Sequence, residues 1–157
     1  MIRAVRVVCL FVVVAAVVSL FLITEPRNAA AEGKGLRVVI LVYSGRADEP
    51  NYQLVNPELV AQVKSLMGKA EKAEFKGQTI IPSILGYRGI MVLNQGGIPG
   101  IPEIFLVHKG MIETRGKEKS YHNDKGRQLE LLLLKQAKKE KVLEDKLVRQ
   151  MNIDMLK

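Results

Sequence analysis

"EIFLVHKGMIETR", Glu103 to Arg115, is the stretch on which the fold class turns. Apolar and β-branched residues run from Ile104 to His108 and again from Met111 to Arg115, with Lys109-Gly110 between them. A two-residue connection carrying glycine between two such runs reads as a β-hairpin, because the favoured hairpin turns require positive φ and glycine adopts it without strain. Hairpins pair their strands antiparallel, so this stretch points to a mostly antiparallel sheet.

Outward from the hairpin, the other elements can be placed. "LRVVILVYS", Leu36 to Ser44, is a β-branched run between Gly35 and Gly45, and its near-continuous apolar character predicts a central strand covered on both faces. "NPELVAQVKSLMG" carries helix punctuation: Asn56 to cap, Pro57 at the first position, Glu58 at the positive end and Gly68 to terminate. Leu59, Val63, Leu66 and Met67 form its apolar stripe. "TIIPSILGYRGIMVLN" is expected to hold a strand near Gly89 to Leu93, with Pro82 arguing against one through Ile80 and Ile81. "KAEKAEFKGQ", "QGGIPGIP" and "GKEKSYHND" read as loops by their polarity or their Gly and Pro content.

From Arg127 to Lys157 the pattern is helical. Leu129, Leu132, Leu133 and Ala137 share a face that Leu131 and Leu134 widen; "KQAKKEK" then interrupts it, and Leu143, Leu147 and Met151 restore it. Too few seam positions are apolar for a coiled coil. The expectation is an α+β domain: a small, mostly antiparallel sheet in the order strand, helix, strand, strand, strand, helix, with a long C-terminal helix. The alternative is a mixed sheet in which the first strand runs parallel to the second across the first helix. The segments expected are 1–31 as a leader, 32–137 as the globular domain and 138–157 as a charged helical extension.

The leader is read from the N-terminus. Arg3 and Arg6 precede the uncharged run Val7 to Ile23, and Ala29 and Ala31 stand at the −3 and −1 positions before Glu32. Charge, apolar run and small-residue cleavage site are the order of a secretory signal peptide. An uncleaved anchor in the inner membrane, with the domain outside, is the alternative; both readings put the domain in the periplasm or the extracellular space. Cys9 is the only cysteine and lies inside the apolar run, so the processed chain has neither a disulfide nor a thiolate ligand.

Of 24 basic and 16 acidic residues, removal of the leader takes three and one, which leaves about six excess positive charges. Most of the excess lies from Lys109 onward. Such a surface can meet an anionic ligand or an anionic envelope polymer. Nucleic acid is not expected, because the basic C-terminal segment has no aromatic residue after Tyr121. A protein partner bound through the C-terminal helix is the assembly alternative.

Two turns suggest a site. "YSGRADEPNYQL", Tyr43 to Leu54, follows the first strand, and "LGYRGI", Leu85 to Ile90, precedes the second. Each sets an arginine beside glycine and near tyrosine. If these strands are neighbours, Arg46 and Arg88 can hold one carboxylate or phosphate, with Asn51 and Tyr52 completing the pocket and Tyr43 or Tyr87 covering it. The plainer reading is a pair of structural turns, with arginine bonded to Asp48 or Glu49.

Catalytic patterns are weak. The serines lack a nucleophile-elbow context, and the spacing of His108, His122 and Asp124 supports neither a metal site nor acid–base work. Both histidines read as surface residues, and Asn123 or Asp124 reads as the cap of the last helix. No catalytic residue, metal or cofactor is assigned. The function expected is a non-catalytic binding or accessory module, with an unrecognised enzyme as the less favoured reading.

Overall fold

The structure is a computed structural model, and it describes residues 35–42, 49–82, 86–143 and 145–150. The leader and Arg46 lie outside these residues, as do Tyr43, Asp48 and Met151. Seven strands form one sheet: β1 (Leu36–Leu41), β2 (Asn51–Leu54), β3 (Glu71–Ala73), β4 (Gly89–Leu93), β5 (Ile104–His108), β6 (Met111–Arg115) and β7 (Ser120–Asn123). Their order is β2-β1-β4-β5-β6-β7-β3, and every pairing is antiparallel. The α+β class and the mostly antiparallel sheet are therefore as expected. The mixed-sheet alternative is not: β1 pairs antiparallel with β4.

The central hairpin forms as read, with Ile104 opposite Arg115 and His108 opposite Met111. Lys109 and Gly110 both have positive φ, 46° and 80°, matching a primed two-residue turn. Three strands were not expected. β2 lies inside the stretch read as a ligand loop, and its exposed-buried alternation sets Tyr52 and Leu54 inward. β3 and β7 are short polar strands that pair with each other, β3 at the edge of the sheet and β7 between it and β6; polarity had marked both as loops.

Helix α1 (Pro57–Lys69) begins as its punctuation predicts, with Asn56 Oδ1 accepting from the N–H groups of Glu58 and Leu59 at 2.9 and 3.3 Å. Gly68 does not end it. The helix continues through Lys69, and the Ala70 N–H closes the last turn on the Met67 carbonyl. Val63 is fully buried, and Leu59, Leu66 and Met67 pack partly buried against the core.

The expected long C-terminal helix is two helices, α2 (Gln128–Lys139) and α3 (Asp145–Gln150). Lys141 adopts a left-handed φ of 59° between them, where "KQAKKEK" loses its apolar face. The break turns Leu143 and Val148 back into the core, so the region read as an extension contributes to packing. Leu129, Leu133, Leu134 and Ala137 are fully buried, whereas Leu132 is only partly so.

Register separates the two faces of the sheet. Val38, Val92 and Phe105 form one cross-strand row, and Ile40, Ile90, Val107 and Ile112 another; both rows belong to the buried core with α1 and α2. Tyr52 fastens β2 to α2 by donating to the Leu133 carbonyl at 2.7 Å. On the opposite face, Val39, Met91, Leu106, Glu113 and Tyr121 are aligned. This face is covered by the chain itself. Since β3 lies at one edge and β4 in the middle, the connection between them must cross β7, β6 and β5.

Candidate functional site

The crossing segment is tied down strand by strand. Phe75 packs on Tyr121 with ring centroids 5.1 Å apart, and Lys119 Nζ donates to the Gln78 carbonyl at 2.9 Å. The Ile80 N–H donates to Glu113 Oε2 at 2.9 Å, and the Thr79 hydroxyl also bonds that carboxylate. At Gly89, where φ is 125°, a Cβ would sit 2.7 Å from the Val107 carbonyl oxygen and 2.9 Å from the Ile81 side chain. Glycine is needed here by both backbone and space. The strap therefore lies close over β4 and β5.

Glu113 is fully buried, and its Oε1 accepts from Arg115 Nε at 2.9 Å, with Lys119 Nζ at 3.8 Å. Desolvation is the largest influence on its pKa and pushes it up. The bonds from the Ile80 N–H, Arg115 and Thr79, together with the charge of Arg115, outweigh this and hold the pKa below the ordinary carboxylate value.

Between the strap and the sheet lies a recess of about 270 Å³. Leu41, Ile81, Pro82, Met91 and Leu106 supply apolar walls; Thr79, Arg88 and Arg115 supply the polar ones. Arg88 Nη2 donates to Glu49 Oε1 at 3.0 Å, and Glu49 Oε2 accepts from the Val42 N–H at 2.7 Å. Glu49 thus joins the end of β1 to the start of β4. Arg115 bonds Glu113 through Nε, and its side chain is 41% exposed.

The candidates separate, and Tyr52 is not part of a pocket at all: it faces the core, with its hydroxyl on the Leu133 carbonyl. Arg46 lies outside the described residues. Asn51 is exposed on the edge strand β2, and its amide donates to the Glu49 carbonyl at 2.9 Å. Arg88 lines the recess and is ion-paired with Glu49. Tyr87 packs against the core on the helix side, where it donates to Glu130 Oε1 at 2.6 Å. Adjacent residues of an extended chain point to opposite faces, so Tyr87 and Arg88 do not share a pocket. Tyr87 instead anchors the segment from which Arg88 projects.

That anchor belongs to a buried network. Glu130 is fully buried, accepts from Arg127 Nε at 3.0 Å as well as from Tyr87, and takes a further bond from the Lys109 N–H. Desolvation, again the largest influence, pushes its pKa up, but the bonds and charge of Arg127 and the Tyr87 bond prevail and hold it low. Burial and the neighbouring Glu130 push the Tyr87 hydroxyl pKa well above its ordinary value.

The histidines differ from expectation in degree. His108 is 7% exposed, and burial depresses its pKa. It ends β5 under Tyr87, with ring centroids 5.9 Å apart, so it is not a surface residue. His122 is partly buried, with Nε2 3.0 Å from Ser120 Oγ. Asp124 caps α2 through both carboxylate oxygens, to the Leu129 and Glu130 N–H groups at 3.0 Å each. No group of three or more metal-ligating side chains lies together among the described residues, and no helix among them is long and apolar enough to cross a membrane.

Arg115, Glu113 and Glu130 were missed as candidates. Glu130 had a visible signal, an acid inside "LELLLL". Glu113 had none, because the strap that buries it depends on the short polar strands β3 and β7. Comparison with family models, curated proteins and solved structures finds no match to this chain.

Proposed function

We propose that this chain is an exported, non-catalytic binding module for a small anionic ligand, which it takes in the recess between Arg88 and Arg115. One observation carries the reading: two arginines, Arg88 and Arg115, line one partly apolar recess. The Arg115 Nη groups make no protein hydrogen bond among the described residues, so a carboxylate or phosphate can take them. At about 270 Å³ the recess is below the usual range for drug-sized ligands, which favours a small ligand over an envelope polymer. Arg115→Gln is expected to weaken anion binding by about tenfold to a hundredfold, the effect of losing a charge-assisted bond of about 1.5–3 kcal/mol. Calorimetric titration with small carboxylates and phosphates checks this; equal affinity in wild type and variant would place the anion elsewhere.

Export is part of the proposal and rests on the arginine-flanked apolar run and "NAAA". Protein recovered from the extracytoplasmic fraction is expected to begin at Glu32 on N-terminal sequencing. Recovery only from membranes, with Met1 intact, would replace the signal peptide by an anchor.

A further inference from the structure

We infer that His108 is the proton-sensitive part of a latch at the entry to β4: its neutral ring packs under Tyr87 and keeps the Tyr87–Gly89 segment closed, and its protonation in mild acid opens that segment. The geometry carries this. His108 is 7% exposed, and its ring lies against that of Tyr87 with centroids 5.9 Å apart. Its Nδ1 is buried and has no hydrogen-bond partner among the described residues. The same segment passes close beside it: Gly89 has a φ of 125°, and a Cβ there would sit 3.0 Å from the His108 Cβ. The closed segment is fastened by the Tyr87 hydroxyl on Glu130 at 2.6 Å and by the Arg88 N–H on the Leu41 carbonyl at 2.8 Å.

A neutral imidazole carries one N–H and can leave Nδ1 as a lone pair, whereas an imidazolium donates from both nitrogens. In the closed latch the acid form therefore adds a buried N–H without an acceptor to the burial of a charge. The titratable and charged groups around the ring are Tyr87, Glu130 and Arg127 from α2 and the turn before it, and Lys109 from the hairpin turn. Met111, opposite on β6, and Gly89 on β4 are neutral. Burial is the largest influence on the His108 pKa and pushes it down, as do Lys109 and Arg127; Glu130 opposes them and does not prevail. The Glu130 carboxylate already accepts from Tyr87, Arg127 and the Lys109 N–H. With the segment open, the ring is hydrated and takes its ordinary value near 6.5. As pH falls below that value the open form takes up the proton first, so opening is favoured by up to about tenfold per pH unit until the lowered pKa of the closed form is reached. Arg88 follows Tyr87 and lines the recess; on the reading of the recess as an anion site, mild acid loosens that wall and weakens binding.

The test needs no ligand, so its outcome is separate from that of the anion site. In the full chain the imidazoles are followed by NMR from about pH 8 to about pH 5; the chain has two histidines, and His122→Gln leaves His108 alone, which assigns its ring. Hydrogen exchange of the Arg88 amide is measured over the same range, with and without low urea. The His108 ring is expected to stay neutral to below about pH 6.5. Protection of the Arg88 amide, corrected for intrinsic exchange, should fall by up to about tenfold per pH unit below that point. It should also respond little to urea, as a local opening does, and exchange faster than the slowest amides of the core. His108→Gln should remove the pH dependence; if that variant does not fold, the wild-type profiles decide alone. A His108 ring that titrates at or above about pH 6.5, an Arg88 amide whose protection does not change with pH, or a pH dependence retained in His108→Gln would overturn the latch. So would an Arg88 amide that exchanges only with the slowest core amides and with their urea dependence, since the proton would then act on global unfolding.

Discussion

Glu130→Ala is expected to destabilise the fold by about 3–5 kcal/mol, the usual cost of removing one partner from a buried ion pair. The carboxylate is fully buried and accepts from Tyr87, Arg127 and the Lys109 N–H. Alanine leaves the Tyr87 hydroxyl without its acceptor in the core and removes the partner of Arg127. Urea unfolding should show a fall in midpoint with little change in slope. Tyr87→Phe removes one of these bonds and should cost less, about 1.5–3 kcal/mol for a bond to a charged acceptor. The double variant should cost less than the sum, since the two residues share the interaction. A loss below about 0.5 kcal/mol for Glu130→Ala, the range of surface sites, would show that the network does not support the fold.

Two buried carboxylates, Glu130 in this network and Glu113 under the strap, set the acid limit of stability. The folded pKa values of Glu130 and Glu113 both lie below the ordinary carboxylate value near 4.5. The unfolded chain therefore takes up protons first as pH falls, and stability drops with pH below that value. The contribution is complete above about 4.5 and is lost as pH falls through the depressed folded values. Glu130→Gln should flatten this part of the profile.

How much of this was legible depended on the range of the interactions. The Lys109-Gly110 hairpin and the Asn56 cap are local, and side-chain pattern and turn chemistry were enough to place them. β2 was legible in principle, because Asn51 to Leu54 alternates polar and apolar, but the charged residues before it drew the reading toward a loop. β3 and β7 were not legible: three or four polar residues have no strand signature apart from their pairing. Without β3 at the far edge there is no crossing strap, and without the strap Glu113 reads as a solvent-facing acid. The site followed the same rule. Arg88 was visible beside its glycine, whereas Arg115 became a partner only when the register brought β6 within reach of the strap. Tyr87 was noticed for the right segment but the wrong face; by bonding Glu130 on the helix side it holds the start of β4 and so positions Arg88 opposite.

Glu113→Ala is expected to release the strap and empty the recess of its affinity. Its carboxylate is the acceptor for the Ile80 N–H and bonds Thr79 and Arg115. Alanine leaves the Ile80 N–H buried without a partner, at about 1–3 kcal/mol, and also removes the charge-assisted bond to Arg115. Arg115 and Lys119 are 41% and 51% exposed and can return to water, which limits the total to about 2–4 kcal/mol. The effect should be local before it is global. Hydrogen exchange at the Ile80 amide should rise by orders of magnitude, while amides of α2 change only by the loss in global stability. Ile81 and Pro82 form one wall of the recess, so ligand affinity should fall although neither arginine has been changed. Glu113→Gln retains an oxygen acceptor for Ile80 and should keep most of the amide protection while loosening Arg115. If Glu113→Ala leaves the Ile80 amide as protected as in the wild type, the strap is held by Ile81 packing on Gly89 and by the Lys119 and Tyr121 contacts, and Glu113 has no part in shaping the recess.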